Sequence, residues 1–216
     1  MRQSTMPCVL LSPITPISRI SCPRPTTVLK TLKRLDSSET MKFINIQYCK
    51  TKIGELILGS FEGKLCLLDF RYRKMRKSVD ERIKKGLNAN FVENNTEIIE
   101  KTRVELDEYF HGKRKEFDVP LQMVGTDFQK SVWEALLRVP FGTTSTYLQL
   151  AKNIKNEKAV RAVAAANGAN SMAIIIPCHR IIGSNGELVG YAGGLPIKKR
   201  LLKLEQITTQ YGTKLF

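Results

Sequence analysis

Thr146-Tyr-Leu-Gln-Leu-Ala-Lys-Asn-Ile154, a short break, then Lys158-Ala-Val-Arg-Ala-Val-Ala-Ala-Ala-Asn167 is the stretch on which the reading of the fold turns. Two short helical runs around a tight turn are the sequence form of a helix-turn-helix. The same pattern also describes a helical hairpin that binds nothing. In the second run Ala162, Ala164, Ala165 and Ala166 leave the helix surface almost bare of side chains. Small residues let a helix backbone approach another surface closely, whether a groove floor or a neighbouring helix of the same chain. Both readings stand at this point.

Just upstream, Thr126-Asp-Phe-Gln129 has capping-box spacing: a Thr oxygen can accept from first-turn amides while Gln129 reaches back. A helix is expected there, carrying Phe128, Val132, Trp133 and Leu136 on one face and ending near Pro140, with Trp133 as core. Downstream of Asn170, the run Ser171 to Gly183 reads as an apolar strand that delivers Pro177-Cys178-His179-Arg180 at its end. Groups at strand ends are held by a rigid scaffold and presented to substrate.

Phe117 to Val124, with Pro120, reads as an extended connector to an earlier region. In that region Ile53 to Phe70 is apolar on both sides of Glu62-Gly63, the pattern of a β-hairpin. Ile98, Ile99, Thr102, Leu106, Tyr109 and Phe110 then recur at near-helical spacing, ended by Gly112. The fold class expected is α+β. A small front domain with a β-hairpin spans 41–120, a mainly helical domain with the helix-turn-helix spans 121–208, and 209–216 form a tail.

Residues 1–40 differ from the rest. They are rich in Ser, Thr and Pro, and Arg2, Arg19, Arg24, Lys30, Lys33 and Arg34 are opposed only by Asp36 and Glu39. Such a leader reads equally as an organelle transit peptide or as sequence upstream of a true start at Met41. Over the whole chain, 35 Lys and Arg against 20 Asp and Glu give a formal charge of +15, which points to a polyanionic partner, nucleic acid ahead of membrane surface. Five cysteines, an odd number without CxxC spacing, suggest neither a disulfide framework nor a zinc ribbon, and only two histidines are present. No metal site and no cofactor are expected. No apolar run approaches the ~18 residues of a membrane span.

A lone cysteine is usually an inert buried hydrophobe. Beside Cys178, however, His179 and Arg180 raise the local positive potential and favour the nucleophilic thiolate. Residues adjacent in sequence point to different sides, so a direct Cys178–His179 ion pair is awkward and a bridging water is the simpler link, with His179 as general base. That base needs an orienting acceptor, for which Glu205 in the helical run after Ile197 is one option.

The run Ile176-Pro-Cys-His-Arg180, preceded by Arg161-Ala-Val and Asn170 and followed by Gly190-Tyr-Ala-Gly-Gly-Leu195 and Glu205, closely resembles the O6-alkylguanine-DNA alkyltransferases, or methylated-DNA–protein-cysteine methyltransferases. The resemblance covers Phe128 to Glu205, extends weakly through the front domain and leaves out residues 1–40. It implies Cys178 as alkyl acceptor, His179 as water-mediated base and Glu205 as its orienting carboxylate. Asn170 would tie the turn that presents the cysteine, and Arg180 would be structural. Tyr147 would assist nucleotide rotation and give a proton to the departing guanine, while Arg161 would fill the vacated gap in the base stack. Backbone groups around Ile181 and from Tyr191 through Ala192 to Gly193 would line the base pocket. Many relatives carry Ser at the position of Ala192, so tolerance of bulky alkyl groups could differ here. The zinc site of some animal members has no counterpart.

The function implied is repair of double-stranded DNA carrying O6-alkylguanine, with O4-alkylthymine as a further substrate, by irreversible transfer to Cys178 once per molecule. The helix-turn-helix would lie in the minor groove of a flipped-base complex, its Ala-rich face near the floor. A monomer is expected, in the cytoplasm, or in the nucleus or an organelle if the leader is genuine. A cysteine hydrolase would use the same Cys and His but turn over repeatedly. A lesion-signalling module would keep the helix-turn-helix without the chemistry, and the intact Cys178 and Glu205 speak against it.

Overall fold

The computed structural model describes residues 41–206; the leader and tail expectations fall outside the described residues. Strand β1 (Lys42–Thr51) pairs antiparallel with β2 (Gly54–Phe61), and β2 with β3 (Lys64–Phe70). Glu62 and Gly63 make the expected hairpin turn, both at positive φ (46° and 75°) as tight hairpin turns require. After helix α1 (Arg76–Leu87), β4 (Ala89–Glu93) runs parallel to β1, giving the order β3-β2-β1-β4.

Alternation along β2 sends Leu56 and Leu58 to one face and Ile57 to the other. Helix α2 (Glu97–Phe110), capped by the Thr96 side chain, covers the first face with Ile99, Leu106 and Tyr109. Helix α1 covers the second with Val79 and Ile83. The apolar spacing of the sequence marks α2 and the hairpin but not α1 or β4. Those two buried residues among twelve leave α1 little apolar periodicity, and β4 is short and mostly exposed.

The connector docks on the outer edge of the sheet, with Leu65 N donating to Pro120 O at 2.8 Å and Gln122 N to Leu65 O at 2.8 Å. Helix α3 (Asp127–Leu137) starts with the expected capping box, Thr126 Oγ1 accepting from Gln129 N while Gln129 Oε1 accepts from Thr126 N. Trp133 is fully buried and donates to Ala166 O at 2.9 Å. Next come β5 (Ser145–Thr146), α4 (Tyr147–Asn153), a 3₁₀ turn (Glu157–Ala159) and α5 (Val160–Gly168), the two helices of the helix-turn-helix. Strand β6 (Ile181–Ile182) pairs parallel with β5, and α6 (Leu195–Leu204) closes the described chain.

The apolar segment before Cys178 departs from expectation. It is not a strand: Met172 to Ile176 folds through tight turns, with Ile176 N donating to Met172 O at 2.9 Å and Ile174 at φ 75°. Leu68 N donates to Ser171 O and Ala173 N to Leu68 O, which pins the segment to the free side of β3. All six residues from Ser171 to Ile176 are buried, so their hydrophobicity carries no period from which to tell a strand from a coiled path. A β-branched residue in the left-handed region costs on the order of 1–3 kcal/mol and persists only where its surroundings fix it.

Candidate active site

Cys178 opens a 3₁₀ turn (Cys178–Arg180) rather than ending a strand, and is 3% exposed. Asn170 holds this turn: its Oδ1 accepts from Met172 N at 2.9 Å, and its Nδ2 donates to Ile176 O at 3.0 Å and to Cys178 Sγ at 3.2 Å. The contact to sulfur is more than the backbone tie expected of Asn170. Burial pushes the Cys178 thiol above its ordinary value. The Asn170 hydrogen bond and the charges of Arg73 and Lys198 oppose that rise, and Asp69 adds to it. The resting sulfur is therefore a protonated thiol.

His179 is fully buried, and its Nε2 lies 2.8 Å from Glu205 Oε1. A carboxylate only accepts, so the hydrogen resides on Nε2 and the lone pair on Nδ1. That Nδ1 is buried and has no hydrogen-bond partner. Burial lowers the imidazole pKa, against the pull of the Glu205 carboxylate, and keeps the ring neutral at pH 7. No direct hydrogen bond joins His179 to Cys178 among the described residues.

Glu205, just past α6, receives five hydrogen bonds. Oε1 accepts from His179, from Tyr109 Oη at 2.8 Å and from Arg180 Nη2 at 3.0 Å; Oε2 accepts from Arg180 Nε at 2.9 Å and Gly142 N at 3.2 Å. Burial alone would raise this carboxyl, but the hydrogen bonds and charges of His179 and Arg180 together bring it down to about 2. Arg180 also donates to Val139 O at 2.6 Å. Its guanidinium thus neutralises Glu205 and ties down the α3 terminus. The expectation that Arg180 favours the thiolate gives way, because its charge is spent on the carboxylate.

Cys178 lies on a cavity of about 250 Å³, lined also by Tyr147 at the start of α4, Asn167 of α5, and Gly190, Tyr191 and Ala192 of the loop before α6. Burial raises the Tyr147 phenol above its ordinary value. Gly193 and Ile181, expected to line the pocket through their backbone groups, are not among the residues that line this cavity. Gly193 sits against the Phe70 ring, where an added Cβ would come within 2.6 Å. The Ile181 carbonyl accepts from Lys198 Nζ at 2.5 Å. Arg161 stands apart from the cavity, exposed on the outer side of α5 with Ala162 and Ala165, whereas Ala166 is buried under Trp133. Ala166 thus packs inside, while Ala162 and Ala165 leave a bare surface outside.

Three contributors gave no sign in the sequence. Tyr109 sits in an apolar helical pattern that explains it as core. Lys198, buried within a basic run, donates to Ile181 O, Val189 O and Gly190 O, which fixes the loop bearing Tyr191; burial lowers its pKa to about 8. Arg73, in the turn after β3, is buried, lines the cavity and donates to Asp69 Oδ2 at 2.6 Å, Asn170 O at 2.7 Å and Gly168 O. It joins the front domain to the end of α5 and to the residue that holds the thiol.

Among the described residues no cluster of His, Cys, Asp and Glu is arranged to hold a metal, no helix is long and apolar enough to cross a membrane, and Cys49, Cys66 and Cys178 are free.

Residues 127–207 match the family described as 6-O-methylguanine DNA methyltransferase, DNA binding domain, and residues 44–123 its ribonuclease-like domain. A methylated-DNA–protein-cysteine methyltransferase of Methanosarcina acetivorans is 47% identical over 156 residues, covering 72% of this chain and 94% of that protein. The crystal structure of Mycobacterium tuberculosis O6-methylguanine methyltransferase is 34% identical, with a TM-score of 0.63, covering 80% of this chain and 96% of that one. The Mycobacterium tuberculosis OGT in complex with DNA is 36% identical, with a TM-score of 0.64, covering 76% and 92%. With both halves matched and nearly the full length of these relatives covered, the chain belongs to the methylated-DNA–protein-cysteine methyltransferase family.

Proposed function

We propose that this protein repairs DNA by taking the alkyl group of O6-alkylguanine onto Cys178, once per molecule. The observation that carries the reading is the buried line from the cavity-facing Cys178 to the neutral His179, with its free Nδ1, and on to the five-bonded Glu205. The thiol proton passes through a water to His179 Nδ1 as Nε2 stays hydrogen-bonded to Glu205. Glu205 orients the ring and stabilises the imidazolium that forms. The sulfur attacks the alkyl carbon, the carbon–O6 bond breaks, and the electron pair leaves with guanine, which takes a proton from the Tyr147 hydroxyl. A thioether at an sp³ carbon is not hydrolysed under these conditions, so the protein is spent.

O6 is inaccessible inside a duplex, and the nucleotide must be extruded at a cost of a few kcal/mol. The exposed Ala162 and Ala165 let α5 lie close to a groove floor, with Arg161 placed to fill the gap left in the stack. Asn170 positions the thiol, and Tyr191 and Ala192 form the base pocket. The assignments of Ile181 and Gly193 to that pocket are carried only by the family resemblance, through their main-chain groups. The partner is double-stranded DNA, bound by a monomer whose charge of +15 suits phosphate contacts. O4-alkylthymine is a secondary substrate. The proposed two-domain division at about residue 120 is supported by the two matched family regions, 44–123 and 127–207. The compartment is a reducing one that contains DNA: the cytoplasm, or the nucleus or an organelle if the leader acts as an address.

Intact and peptide mass spectrometry after incubation with excess O6-methylguanine duplex tests the reading. One added methyl, about 14 Da, is expected on the peptide bearing Cys178. Repeated turnover, no transfer, or methyl on Cys49 or Cys66 would overturn it.

A further inference from the structure

Helix α5 carries the cation Arg161 in its first turn and no basic residue in its last. Its outer side runs from Arg161 through Ala165 to Gly168, all exposed, and a Cβ added at Gly168 would meet nothing within 4 Å. A helix C-terminus is the negative end of the macrodipole and disfavours a phosphate brought against it. The front domain supplies the opposing charge. Arg73 donates to Gly168 O and, at 2.7 Å, to Asn170 O, and Arg82 Nη2 donates to Ala169 O at 2.7 Å.

Those bonds fix the turn after β3 beside the bare end of α5. Lys74 and Met75 follow Arg73 in that turn; both are exposed, and both line the cavity that holds Cys178. Residues that are at once on the cavity wall and in solvent form its rim. Lys74 makes no hydrogen bond or ion pair among the described residues, and none of the residues lining the cavity is a carboxylate that would offset its charge. A base that enters the cavity leaves its sugar and phosphates outside. At the rim they meet an ammonium group with three unused donors.

We propose that the front domain takes part in DNA binding through the turn after β3, with Lys74 donating to a backbone phosphate of the strand that carries the extruded nucleotide. The inference rests on the alkyltransferase reading given above, which sets the side from which DNA meets the cavity. Arg161 and Lys74 then hold the strand at opposite ends of α5, one from each domain.

The salt dependence of methylated-duplex binding, measured in the Cys178→Ala background so that no transfer intervenes, tests the contact. Adding Lys74→Ala should weaken binding roughly three- to fivefold at low salt and make the slope of log K against log salt shallower by about one. Lys74→Glu should lose more. Lys64→Ala serves as the control for charge alone. Lys64 is exposed at the far end of β3, about 20 Å from Phe70 by strand rise and beyond the screening length of about 8 Å at physiological salt. It should leave the slope unchanged. In the reactive protein Lys74→Ala should lose far more rate on duplex than with free O6-benzylguanine. An unchanged slope in Lys74→Ala, an equal loss in Lys64→Ala, or equal slowing with free base and duplex would overturn the proposal. A wild type that transfers from neither substrate would sink the alkyltransferase reading instead, and the salt slope would still decide whether Lys74 touches DNA.

Discussion

Tyr109 of the front-domain helix donates its hydroxyl to Glu205 Oε1 at 2.8 Å, on the same oxygen that His179 Nε2 meets at 2.8 Å. A residue of the front domain thus takes part in orienting the base of the site that lies beyond it in the chain. Burial and the neighbouring Glu205 charge hold the Tyr109 phenol well above its ordinary value, so it stays a donor at any working pH.

Tyr109→Phe should destabilise the protein by about 2 kcal/mol, the usual range for a buried hydrogen bond to a charged group. Chemical denaturation would register it as a lower midpoint at unchanged slope. The variant should also transfer methyl more slowly, since Glu205 is less firmly placed. A midpoint equal to that of the wild type would mean that the bond contributes nothing.

Glu205 predicts the response to acid. Its carboxyl is about 2 in the folded protein against an ordinary 4.5, a depressed value. Its contribution is fully present above about pH 4.5 and is lost as pH falls towards 2. The difference corresponds to about 3 kcal/mol, released over that window. Stability measured by denaturant at a series of pH values should fall there, and Glu205→Gln should flatten that part of the curve while being less stable at pH 7. An unchanged acid limb in Glu205→Gln would assign the loss to other carboxylates.

The thiol of Cys178 should titrate above 9.0 in the absence of DNA, since burial outweighs the groups that favour its anion. Peptide-resolved alkylation by iodoacetamide should therefore be slow at pH 7 and rise only in the alkaline range. A rate already at its plateau near neutrality would show a standing thiolate and remove the need for proton transfer to His179.

Arg161 and Cys178 should fail in different ways. Cys178→Ala should bind methylated duplex about as well as the wild type and transfer nothing. Arg161→Ala should lose far more rate on duplex DNA than with free O6-benzylguanine, which needs no extrusion. The deficit on duplex should be on the order of tenfold for each 1.4 kcal/mol of flipping stabilisation removed. Equal slowing with both substrates would make Arg161 a pocket or folding residue.

The chain's own pattern determined those features that rest on neighbours in sequence. The Glu62-Gly63 hairpin, the Thr126 capping box, the buried face of Trp133 and the two helices after Thr146 were legible because turn chemistry and helical period act over a few residues. The resemblance around Cys178 gave the family through a compact motif. Tertiary structure alone decided that the segment before Cys178 coils instead of extending, because a run buried on every side has no period to read. It alone decided that Arg180 serves Glu205 rather than the thiol, that Tyr109 and Arg73 reach across from the front domain, and that Lys198 is buried beneath the Tyr191 loop. Those contacts join residues 25, 96, 97 and 9 positions apart, two of them across the junction of the domains. Their energies come from satisfying a charge or a carbonyl that folding has buried, a need that exists only once the two halves have packed together.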